Sequence, residues 1–138
     1  MAIKIYGRLS SANVQKINWF CEYANINVIN LNYGGIHGKT QTTEFKEINP
    51  NSRVPVLDDD NFILYESNAI LRYLSKKFDI LVEEKKEISG KIDQWIDWGS
   101  FTFASPCSLL TAHKLNLPQD QRNELIADKA KNDIFSLL

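Results

Sequence analysis

A proline sits second in the β-rich run Val54-Pro55-Val56-Leu57, and no other residue constrains the fold of this chain as much. Proline has no N–H to give to a strand ladder, so Pro55 must lie on a sheet edge, on a bulge, or in a cis bond where the chain enters the strand. A second run, Phe62-Ile63-Leu64-Tyr65, follows after Asp58, Asp59, Asp60 and Asn61, a connection short enough for an antiparallel hairpin. Glu66-Ser67 come next, and the four-residue repeat of Ile70, Leu74 and Phe78 predicts a helix with Ser67 as its cap.

Upstream, Ile3-Lys4-Ile5-Tyr6 alternates and stops at Gly7, which predicts a strand. Ser10, Ser11 and Asn13 then mark the start of a helix whose apolar stripe is Val14, Ile17, Cys21 and Ala24. Val28 to Tyr33 alternates again before Gly34, Gly35 and Gly38 break the pattern, and a helical turn over Thr43 to Ile48 fits ahead of the turn chemistry of Asn49-Pro50-Asn51-Ser52. The order is therefore β-α-β-α-β-β-α.

Beyond Asp79 no strand-like run appears. The charged link Glu83 to Glu87 leads into Ile88, Ile92, Trp95 and Ile96, which predict a long helix reaching Ser105-Pro106. A second helical stretch opens at Pro118, with Ile126, Ala130, Ile134 and Leu137 on one face, and that stripe is still running where the sequence stops.

Sixteen Lys+Arg against seventeen Asp+Glu leave no excess positive charge, so neither nucleic acid nor an anionic membrane surface is an expected partner. No apolar run approaches the ~18–20 residues that span a bilayer, and MAIKIYGRLSS lacks a secretory apolar core, which makes the cytoplasm the expected compartment. Cys21 and Cys107 form no CxxC and have no His ladder, so they read as small buried hydrophobes, not as a disulfide or zinc site.

Four places carry possible chemistry, and each alone has a plain structural reading. Ser10, Ser11 and Asn13 lie at a helix N-terminus, where a hydroxyl either caps the helix or helps hold an anion. Val54, ahead of Pro55, either belongs to an edge strand or offers its backbone to a peptide-like ligand. Glu66 and Ser67 form a strand-to-helix corner where a carboxylate takes an ammonium and helix N–H groups take a carboxylate, or they are an ordinary cap. His37 and Lys39 sit on the glycine-rich loop, either solvated or facing an anion.

Together these features resemble the glutathione transferases of the bacterial theta/beta-like kind. GRLSSANVQKINW is similar to their first strand end, active-site loop and first helix. NPNSRVPVLDDDNFILYESNAILRYL is similar to their proline-entered third strand, fourth strand and third helix, and KIDQWIDW is similar to the fourth helix. The resemblance implies an α/β thioredoxin-like domain over 1–79, with a mixed four-stranded sheet, followed by an all-helical domain over 86–138. That second domain is short by several helices of the family.

It further implies glutathione as co-substrate, its thiol ionised for attack on a small hydrophobic electrophile, with no metal, in a cytoplasmic homodimer. Ser11 matches the hydroxyl that donates to the sulfur, with Ser10 as alternate and Asn13 as a second donor. Val54 matches the residue pairing with the cysteinyl backbone, and Glu66 and Ser67 the pair holding the γ-glutamyl end. Arg53, His37 and Lys39 match the cations near the glycyl carboxylate, and Trp98, Phe101 and Phe103 are candidates either to line the electrophile pocket or, for at least two of them, to serve core or dimer packing. A non-catalytic binding or assembly module on the same scaffold, or a fragment of a longer transferase, is the alternative.

Overall fold

Alternation of apolar and polar residues makes β1 (Ile3–Tyr6) a strand with Ile3 and Ile5 on one face and Lys4 and Tyr6 on the other. In the computed structural model, which describes residues 2–138, β1 lies inside a four-stranded sheet ordered β2-β1-β3-β4. β2 (Val28–Leu31) pairs parallel to β1 with Ile3 opposite Val28, while β3 (Val56–Asp59) pairs antiparallel to it with Ile5 opposite Leu57. β4 (Phe62–Tyr65) closes an antiparallel hairpin with β3.

Two helices cover one face of this sheet. α1 (Ala12–Tyr23) supplies Val14, Ile17, Phe20 and Cys21, and α3 (Ser67–Phe78) supplies Ile70 and Leu74, all packed on Ile3, Ile5 and Leu57. The opposite face is covered by α2 (Thr43–Ile48), whose Phe45 is 2% exposed and meets the rings of Tyr6 and Tyr33. A β-α-β-α-β-β-α chain with this strand order and helices on both faces is the thioredoxin-like architecture expected from the sequence.

The third strand differs from its predicted span. It begins at Val56, not Val54, and the Val54-Pro55 bond is cis, which selects one of the three placements open to a proline there. It also runs on through Asp58 and Asp59, because both carboxylates find partners. Asp58 accepts from Lys4 Nζ and from the Asn61 backbone N–H, each at 3.0 Å, and Asp59 accepts from Tyr73 Oη at 2.6 Å and from Lys77. Only Asp60 and Asn61 remain as the turn, both at positive φ (55° and 70°), the two-residue geometry that matches strand twist.

Burial works to raise the Asp59 carboxyl, but the hydrogen bonds from Lys77 and Tyr73 outweigh it and hold the group below the ordinary Asp range. A carboxylate depressed in the fold contributes stability that is fully present above the unfolded value of about 3.9 and is lost as pH falls through the folded one. Asp59→Asn is therefore expected to lower stability by about 1–2 kcal/mol at pH 7, the scale of one charged hydrogen bond discounted for the half-exposed Lys77. Thermal melts of both proteins should draw together as pH falls below the ordinary Asp range and through the depressed folded value; a gap that stayed constant over that fall would assign the loss to packing instead.

The chain divides into two compact units, one ending at Val82 and the other running from Glu83 to Leu138. In the second, α4 (Lys86–Asp97) begins within the charged link and leaves Ile88, Ile92 and Trp95 exposed along one stripe. The predicted end at Ser105-Pro106 is not where the helical path stops. A π-helical stretch, Trp98–Phe103, passes directly into α5 (Ala104–Thr111), and a second, Ala112–Asn116, follows it.

Pro106 stands inside this continuous helical path, directly after the wide π-helical turns, which change the hydrogen-bond register ahead of a residue that has no N–H to donate. α6 (Glu124–Leu137) starts later than Pro118, because Asn123 caps it by accepting from Ile126 N–H at 3.2 Å. Its Ala127 and Ala130 are buried. Both cysteines are free; Cys21 is buried and its thiol is pushed up to about 11 by that burial, which makes it a small hydrophobe of the core.

Candidate functional site

Gly7 follows β1 at a point where no side chain fits, because a Cβ there would meet Val14 Cγ2 at 2.4 Å. The chain then turns through Arg8 to Ser11, whose N–H donates to the Arg8 carbonyl at 3.0 Å and whose own carbonyl starts the α1 ladder. Ser11 is the N-cap residue by backbone geometry (φ −83°, ψ 122°), yet its side chain makes no capping hydrogen bond. The first turn of α1 carries no acidic residue, so its positive end is not offset.

At the head of α3 the expectation of a Ser67 cap is corrected. Glu66 occupies the cap position with φ 70°, a left-handed conformation that costs a non-glycine residue about 1–3 kcal/mol. Ser67 is the first helical residue, and its hydroxyl donates to Asn13 Oδ1 of α1 at 3.2 Å. The third corner is the turn before Val54. Asn49, 2% exposed, donates to the Arg53 carbonyl at 2.8 Å and accepts from Asn51 N–H at 3.0 Å, which fixes the path of Arg53 and Val54.

These three corners enclose two adjoining hollows. One, of about 90 Å³, is lined by Asn13, Glu66 and Ser67 on one side and by Asn49, Arg53, Val54 and Pro55 on the other. The second, of about 210 Å³, is lined by Ser11, Arg8, Thr40, Ser52 and the Gly34-Gly35 turn, and it shares Arg53 and Val54 with the first. Two guanidinium side chains and no carboxylate face this second hollow, which suits an anionic group. Gly34 and Gly35 have φ of 78° and 57°, and a Cβ on Gly35 would meet Arg8 Cδ at 2.8 Å, so the turn leaves room for the Arg8 side chain to pass close to the backbone.

Of the nine residues singled out in the sequence, Ser11, Asn13, Arg53, Val54, Glu66 and Ser67 come together on these hollows. Ser10, His37 and Lys39 line neither: Ser10 and His37 are exposed, and the Lys39 ammonium lies 5.2 Å from the centre of the Tyr33 ring. Arg8, Thr40 and Asn49 were not foreseen. Arg8 had a signal, a charged residue directly after the strand-ending Gly7; Thr40 and Asn49 had none, since they reach the hollows only through the turns they occupy. In the second unit Trp98 stacks on Phe103 at 5.4 Å and meets Trp95 edge-on at 5.3 Å, while Phe101 lines a separate groove between α5 and α6.

Among the described residues no group of three or more His, Cys, Asp or Glu side chains could hold a metal ion, and no helix is long and apolar enough to cross a membrane.

The mixed sheet, the helices on both its faces and the hollow beside a cis X-Pro bond together define a thioredoxin-like protein. Residues 1–76 match the sequence model described as "Glutathione S-transferase, N-terminal domain". The chain belongs to the glutathione S-transferase family and is a transferase of that family. Glutathione S-transferase GstB of Escherichia coli (strain K12) is 29% identical over 143 residues, an alignment that takes in 99% of this chain and 69% of GstB. The glutathione-bound theta class glutathione S-transferase of Xanthomonas axonopodis pv. citri superposes with a TM-score of 0.93 at 33% identity, over 99% of this chain and 67% of that one. The structure of Ure2p in complex with glutathione, at 19% identity and a TM-score of 0.88, shares the fold.

Proposed function

We propose that this chain binds glutathione across the two hollows of its first unit and activates the thiol for attack on a small hydrophobic electrophile. What supports the reading is one arrangement: a Ser11 hydroxyl not used for capping, and Glu66 with Ser67 at the head of α3, opening on hollows that meet at Arg53 and Val54. In this reading residues 1–79 are the glutathione-binding domain and 86–138 the helical domain. The γ-glutamyl ammonium goes to Glu66 and its carboxylate to the N–H groups at Ser67. The cysteinyl backbone pairs with Val54, and the glycyl carboxylate meets Arg53 in the hollow that Arg8 also lines.

Ser11 donates to the sulfur. A free thiol with pKa ~8.5 is only a few per cent thiolate at pH 7, and lowering it by about two units needs roughly 2.7 kcal/mol. One hydrogen bond to a charged acceptor supplies about 1.5–3 kcal/mol and a helix N-terminus about 0.3–1 more. A cytoplasmic homodimer is the proposed form, for which the exposed Ile88, Ile92 and Trp95 stripe of α4 offers apolar surface.

Calorimetric titration with glutathione tests the reading. The folded protein should show saturable binding, and Glu66→Ala should weaken it about tenfold or more, the loss of one charge-assisted contact. A folded wild-type chain that releases no heat with glutathione would leave the scaffold as an assembly module and overturn the proposal.

A further inference from the structure

Behind the γ-glutamyl corner of the proposed site, α1 and α3 are tied twice, and only the first tie touches a hollow. Ser67 donates to Asn13 at 3.2 Å; one turn further along α1, Lys16 Nζ donates to Asn68 Oδ1 at 2.5 Å. Lys16 lines neither hollow, and it is half-buried between the helices, not extended into water. Burial lowers its pKa, Arg72 adding to the effect and Glu66 opposing it, so the ammonium is held in an environment where its charge is felt by Glu66. A lysine placed there at a desolvation cost needs a compensating role.

We propose that Lys16, held by Asn68 behind the first turn of α3, is a positioning residue that fixes Ser67 and its backbone N–H groups for the carboxylate of the γ-glutamyl end. The inference rests on the glutathione reading above and adds a residue that the sequence did not single out. Its physical basis is direct. The unpaired N–H groups of a helix N-terminus hold an anion well only if the first turn is rigid, and Glu66 at φ 70° leaves that turn without a side-chain cap of its own. The Asn13–Ser67 and Lys16–Asn68 bonds replace the missing cap with contacts from the neighbouring helix. The ammonium also partly balances Glu66, so a ligand carboxylate can approach the same corner that takes the ligand ammonium.

The experiment is a calorimetric comparison of wild type, Lys16→Met, Lys16→Arg and Asn68→Ala with two ligands. One is glutathione. The other is 4-aminobutyryl-cysteinylglycine, which keeps the ammonium and lacks the α-carboxylate. Lys16→Met and Asn68→Ala should each weaken glutathione about tenfold, a coupling typical of groups in one hydrogen-bond network, yet change the carboxylate-free ligand by less than about twofold. Lys16→Arg, which retains the charge and the donor, should stay within about twofold of wild type for both ligands.

Equal weakening of both ligands by Lys16→Met would mean that Lys16 only stabilises the fold, and unchanged glutathione affinity would mean that the tie does not reach the site; either overturns the proposal. A folded wild type that binds no glutathione removes the underlying reading along with it, an outcome distinct from wild-type binding that is insensitive to residue 16. Asn68→Ala keeps the question answerable should Lys16→Met not fold.

Discussion

Ser11→Ala should return the thiol of bound glutathione to near its free pKa of about 8.5, and with it lower the thiolate present at neutral pH roughly twenty-fivefold. Affinity should barely change, because the γ-glutamyl, cysteinyl and glycyl contacts are assigned to other residues. The measurement is the ultraviolet absorbance of the thiolate followed against pH in saturated wild type and variant. The sign follows from which state the hydroxyl favours. It donates a hydrogen bond to the charged sulfur, so removing it destabilises the thiolate and raises the pKa. Superimposable titrations would move the role to Ser10 or Asn13, of which Asn13 already accepts from Ser67 and only Asn13 faces a hollow.

The largest loss of stability is expected from Phe45→Ala. Phe45 is the one buried side chain of α2, stacked on Tyr33 at 5.2 Å and edge-on to Tyr6 at 6.5 Å, so it anchors that helix to its face of the sheet. Truncating a buried phenylalanine costs about 3–5 kcal/mol, a large part of the stability of a small protein. The effect should extend to the site, because α2 ends at Ile48 and the Asn49 turn that aims Arg53 and Val54 starts on the next residue. Chemical unfolding should show the lost stability, and glutathione affinity measured well below the melting point should fall as well. An affinity equal to wild type would show that the Asn49 turn holds its shape without the helix.

The elements most legible in the sequence were those whose periodicity is local. The alternation of Ile3 to Tyr6 and the apolar stripes of α1 and α3 sit where their patterns place them, because each pattern repeats within one element and one buried face. Boundaries set by long-range partners were less legible. β3 extends over Asp58 and Asp59 because Lys4, Tyr73 and Lys77 arrive from elsewhere to satisfy them, and the helical path continues past Pro106 because π-helical turns shift the ladder ahead of it. The fate of a polar residue in a strand, or of a proline in a helix, depends on what meets it in space.

The sequence by itself determined the order of strands and helices and the change from mixed to all-helical character after Asp79, since these rest on local spacing; Ser11, Val54, Glu66 and Ser67 stood out only through the family resemblance of the segments that carry them. Only the tertiary structure decided that Ser11 leaves its hydroxyl unused by the helix, that Glu66 and not Ser67 stands at the head of α3, and that Arg8 reaches the hollow while His37 and Lys39 do not. Those facts depend on where backbone turns aim side chains drawn from segments up to about fifty residues apart, as in the Asn13 to Ser67 bond, and no local pattern encodes such a direction.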